Sequence, residues 1–256
     1  MKTIARELAR ATKLLIPNKK LRAQLFLLVL IAAAIPVSEL LVAKLFADLV
    51  IEGSKRSLAE NIISISMFAG LFVITRVANY LQKTYRVRFF DKSFDADERE
   101  KTLSKESWEW ALALEMVNVL TFFTQLAVIV IFFFALSPYF ALGNLLLIVL
   151  VIQIMGVQFR KQLRTQAEFV EKRKNKEKVK PADRLGSRIQ SAELATLLSS
   201  VAVVLMLAVL VVMSIENIVT IANAIVLFLG MRLQNTTFAS LSSGLMRFAR
   251  ARANSV

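Results

Sequence analysis

The sequence predicts an all-α membrane protein, with six transmembrane helices that extend beyond the bilayer on one side. Three observations predict it. Of the 256 residues, 56% are hydrophobic, and the excess over a soluble domain sits in long runs. Those runs are continuous over about 20 residues instead of alternating, which argues for helices and against barrel strands. Lys and Arg gather in every second connection, as they do in proteins oriented by positive charge.

Taken in order, residues 1–17 form an amphipathic interfacial helix. Ile4, Leu8, Ala11 and Leu15 repeat at helical spacing, while Arg6, Arg10 and Lys13 fall mostly elsewhere. The basic segment is too long for a signal peptide, and the apolar sequence after it runs on to Ile51 without stopping at a cleavage site. Pro17-Asn18 ends this helix and turns the chain into the first span. Residues 18–256 form the transmembrane domain, with spans at about 23–51, 61–82, 111–136, 139–159, 194–213 and 218–233. Ser137-Pro138 makes a tight turn between the third and fourth spans, because Pro cannot continue a helix behind it. Ser214 to Asn217 is a short polar break before the sixth. Pro181-Ala182-Asp183 reads as a turn, with Asp183 as the N-cap of the next helix.

Charge sets the orientation. Residues 1–22, 86–107, 157–193 and 232–256 hold 28 of the 33 Lys and Arg, whereas the opposite loops hold only Lys55 and Arg56. Both termini are therefore expected in the cytoplasm, with an even number of spans. The expected setting is a bacterial inner membrane. The helical patterns also outrun the bilayer. Residues 144–178 contain no Pro and only Gly156, and one helix of that length measures about 52 Å against roughly 30 Å of hydrocarbon. The two cytoplasmic turns are expected at about 92–104 and 175–186, and no internal repeat or soluble domain is evident.

Composition removes several chemistries. With no Cys and no His, there can be no disulfide, thiolate or imidazole ligand, and no Ser-His triad. No catalytic constellation, acidic metal cluster or cofactor motif appears, so an enzyme is not expected. The net charge of +14 and the basic run Lys172–Lys180 suit a cytoplasmic face attracted to anionic lipid better than a nucleic-acid surface.

The layout resembles the transmembrane domain of ABC exporters over nearly the whole chain. It has an interfacial helix, six spans, long cytoplasmic extensions of the second to fifth, and an Arg/Ala-rich exit, Ser242-Ser243-Gly244-Leu245-Met246-Arg247-Phe248-Ala249-Arg250-Ala251-Arg252. The opening Leu14-Leu15-Ile16-Pro17, followed by Ile35-Pro36-Val37-Ser38-Glu39, is most similar to the subgroup that includes lipid-linked oligosaccharide flippases. The resemblance implies a homodimer, or a heterodimer with a related chain, that moves a lipid-linked or amphipathic substrate. The sequence contains no GxxxxGK[ST] phosphate loop, so any ATPase is expected on a separate chain. The cytoplasmic turns are short for this family. That favours the alternative of a non-transporting scaffold or accessory subunit in a larger membrane assembly. A further alternative is a proton-coupled transporter.

Candidate functional residues follow from polarity at membrane depth. Glu115, Asn118, Thr121 and Gln125 share one face of the third span, with Thr124 beside it. Such a stripe either lines a cavity for a polar substrate or bonds helices together. Arg76, with Asn79 and Lys83 on its face, is expected to pair with Glu115, or else to snorkel to lipid phosphates. Lys44 and Asp48 form an i,i+4 pair at the outer surface. Glu39 lies deeper. A buried carboxyl there could relay a proton, and the alternative is a solvated vestibule. Trp108 and Trp110 are read as interfacial anchors.

Overall fold

The computed structural model describes residues 2–16, 18–51, 58–95, 103–177 and 181–255, and among these the chain is helical almost throughout. The elements are α1 (Lys2–Leu15), α2 (Lys19–Ile51), α3 (Leu58–Asp95), α4 (Leu103–Leu136), α5 (Pro138–Lys174), α6 (Pro181–Ile215) and α7 (Ile221–Asn254). Helices α2 to α6 each contain a stretch long and apolar enough to cross a membrane. These five support an integral membrane protein. Helix α7, which carries the expected sixth span, is long enough but less apolar. Its apolar start gives way at Arg232 to Gln234, Asn235, Thr236 and Thr237.

Local chemistry explains the helix ends. Asn18 caps α2 by accepting the backbone N–H of Lys20 at 2.9 Å. Ser137 breaks the chain in an extended conformation and α5 opens on Pro138, the first-turn position where the missing N–H matters least. Helices α5 and α6 are left through residues with positive φ, Lys176 and Asn217. After each, the next N–H closes back on the helix, Glu177 on the Lys172 carbonyl at 2.9 Å and Ile218 on the Met213 carbonyl at 2.9 Å. Thr220 then caps α7, whose first residue Ile221 lies three beyond the expected start at Ile218. Asp183 does not cap α6. The helix begins at Pro181 and Asp183 falls in its first turn, where its charge suits the helix dipole. The expected turn at about 92–104 lies largely outside the described residues, as does the 178–180 part of the turn at about 175–186.

Helix α7 is the axis of the bundle, packed against α2, α4, α5 and α6. Two apolar cores lie along it. One, at the end that carries the termini, gathers α1, α4, α5 and the tail of α7 around Met116, Phe159, Leu245 and Phe248. The other, toward the opposite end, gathers Phe133, Phe140, Met206, Leu227 and Met231. The polar middle of α7 is satisfied by its neighbours. Asn144 and Gln234, both fully buried, exchange two amide hydrogen bonds at 2.8 Å each. Ser199 and Ser200 of α6 donate to Asn235 at 3.4 and 3.3 Å. Helix α3 packs chiefly along α2, and most of its apolar side chains are exposed.

Gly230 marks a close approach of α7 to α4, where an added Cβ would overlap the Phe133 ring. Gly230→Ala is therefore expected to destabilise the bundle by about 1–3 kcal/mol through overpacking. Gly70→Ala, at a site open on all sides, is expected to be neutral or slightly stabilising through helix propensity. Thermal unfolding in detergent distinguishes the two.

Candidate functional site

The polar stripe of α4 meets cations from two sides. Glu115 Oε1 accepts from Arg247 Nε of α7 at 2.6 Å, and Arg247 Nη1 also donates to Ser243 Oγ at 3.4 Å. One turn along α4, Asn118 Oδ1 accepts from Arg86 Nη1 of α3 at 3.0 Å. A Cβ on Gly244 would make ordinary contacts here, 3.5 Å from Val119 and 3.8 Å from Phe122, so α7 and α4 pack at normal distance beside the cluster. Thr121 lies a turn beyond Asn118, and Gln125 is buried a further turn on. Thr124 turns to its own helix, donating to the Leu120 carbonyl at 3.0 Å.

The cluster is incompletely satisfied. Glu115 Oε2, Arg86 Nε and Thr121 Oγ1 are buried without a hydrogen-bond partner. Each such atom costs about 1–3 kcal/mol where nothing replaces its hydration. The cluster holds two guanidiniums and one carboxylate, one positive charge in excess. Its free valences are one guanidinium N–H, one hydroxyl and one carboxylate oxygen. That combination suits a ligand bearing both a negative charge and hydroxyl or ammonium groups.

Arg76 and Glu115 do not form the expected pair. Glu115 is held by Arg247, and Arg76 Nη1 lies 3.4 Å from Glu39 Oε1 of α2. The reason is packing. Helix α3 runs along α2, so a cation in its middle meets α2 first, and only Arg86, nearly three turns further on, reaches Asn118. The Arg76 guanidinium also lies 5.2 Å above the Phe72 ring. Beside this pair, the Ser38 and Thr75 hydroxyls are 3.0 Å apart, and a cavity of about 280 Å³ opens between α2 and α3. Glu39 is 47% exposed, so it is not the buried, unpaired carboxyl that a proton relay requires. Lys44 and Asp48 do pair, at 3.2 Å, and Lys44 also donates to Asn223 Oδ1 of α7.

Sequence reasoning missed Arg86 and Arg247. Arg86 lies on the same helical face as Arg76, Asn79 and Lys83, and that spacing could have revealed it. Arg247 was hidden in the Arg/Ala-rich exit, where nothing in the sequence marks one Arg as inward. No protein-family model matches the chain, and no curated protein matches it.

These pairings predict a simple thermodynamic pattern. In a double-mutant cycle, Glu115→Gln and Arg247→Gln should couple by about 1 kcal/mol, the modest value expected because Arg247 is nearly half exposed. The cycle of Glu115→Gln with Arg76→Gln should show no coupling. Unfolding free energies of the single and double variants check both.

Proposed function

We propose that this protein is the transmembrane subunit of an ABC-type transporter that moves an amphipathic or lipid-linked substrate with an anionic headgroup. The observation that carries the reading is the Arg86–Asn118 and Glu115–Arg247 cluster. It is net positive and holds three buried polar atoms without partners, groups able to bond a polar substrate at membrane depth. In this reading α7 is the sixth span, and its polar middle is shielded from lipid by α5 and α6. Both termini then lie in the cytoplasm, as the placement of Lys and Arg favours. Two copies, or one copy and a related chain, would enclose the cavity, and the ATPase would be a separate subunit. The alternative of a non-transporting scaffold rests on the short connections from α3 to α4 and from α5 to α6.

Mild-detergent purification from native membranes tests the reading. The expected result is a stoichiometric nucleotide-binding subunit whose ATPase activity depends on this chain. A large assembly without ATPase activity would instead support the scaffold. In reconstituted vesicles, Arg86→Ala, Glu115→Ala and Gln125→Leu should each impair transport while assembly is retained. If all three lower only the yield of protein, the cluster is structural.

The orientation has its own test, helped by the absence of Cys. In sealed right-side-out membranes, Lys55→Cys should react with an impermeant maleimide, and Ser255→Cys only after permeabilisation.

A further inference from the structure

Helix α1 divides its surface three ways. Ile4, Leu8, Ala11 and Leu15 are buried against the bundle. Thr12 Oγ1 fixes this face by contacting Met116 Sδ of α4 at 3.3 Å. Next around the helix come small side chains, Ala5, Ala9 and Thr12, at spacings of four and three. Opposite them stand Leu120 and Phe123 of α4 and Ile152 of α5. Together with Ile4, Leu8 and Lys2, these residues line a half-open apolar cavity of about 630 Å³. Leu120 and Phe123 are one and two turns further along α4 than Met116, so the cavity extends from α1 toward the membrane interior. The third sector, on the side of the small residues away from the core, carries Lys2, Arg6 and Lys13, all exposed. None of the three forms an ion pair among the described residues. Arg10, the remaining cation of α1, is taken by Glu7 at 2.8 Å.

We infer that this cavity is a binding site for one anionic phospholipid of the leaflet on which α1 lies. One acyl chain fills the slot formed by Ala5, Ala9, Leu120, Phe123 and Ile152. The phosphate is held by Lys2 and Arg6. The apolar slot and the row of unpaired cations lie side by side, in the order in which a lipid presents its chain and its headgroup. The match of charge selects an anionic lipid over a zwitterionic one. This site is separate from the Glu115 cluster and does not depend on transport.

Native mass spectrometry of the full chain tests the inference. The purified protein is given equal amounts of phosphatidylglycerol and phosphatidylcholine with identical acyl chains. The expected result is one retained phosphatidylglycerol per chain, favoured about fivefold for each of the two cations. In the Lys2→Gln/Arg6→Gln variant the preference should vanish while retention of either lipid continues. Ala9→Phe should abolish retention of both. Ala5→Leu narrows the same slot at an exposed position and should reduce retention without disturbing the fold, as helical circular dichroism would verify. Equal retention of the two lipids by the unaltered protein would overturn the inference. So would unchanged retention in the folded Ala5→Leu variant.

Discussion

A helix as polar as the middle of α7 can stand at the centre of an apolar bundle only if its neighbours satisfy it. In hydrocarbon, water cannot supply the missing bonds. The reciprocal amide pair of Asn144 and Gln234 meets that demand between α5 and α7, and the Ser199 and Ser200 hydroxyls meet it from α6. Once α7 is held, the rest of the arrangement follows. Its start pairs with α2 through Asn223, and Gly230 brings it close to α4. Its tail then carries Arg247 to Glu115 and Arg252 to Glu7. Helix α3 has no comparable demand and packs chiefly along α2.

Much of the fold was legible in the sequence because hydrophobic length and chain-breaking residues act locally. The amphipathic N-terminal helix, the five apolar helices and the break at Ser137-Pro138 all follow from nearby residues. The boundary at Pro181 was misjudged by two residues, because Pro can end a helix or open one and the sequence does not distinguish these uses. The expected sixth span stands differently. Helix α7 forms there, but it is not among the helices apolar enough to cross a membrane, and its polar residues Gln234 and Asn235, just beyond the expected span, bond to α5 and α6.

The candidate site was legible only in half. The stripe Glu115, Asn118, Thr121 and Gln125 follows from helical periodicity alone. Its partners do not, because pairing depends on which helices touch. The expectation that Arg76 would meet Glu115 assumed that helices joined in sequence lie side by side at equal depth. Helix α3 instead packs along α2, so Arg76 is taken by Glu39 and the α4 stripe is met by Arg86 and Arg247. A rule of charge balance could name the participants, but only the packing assigns them.

The contact between Glu7 and Arg252 spans 245 positions of the chain. Synthesis runs from α1 toward α7, so Glu7 meets Arg252 only after the last turn of α7 has been made. The bond is thus a late closure, added to the packing of α1 on α4 and α5.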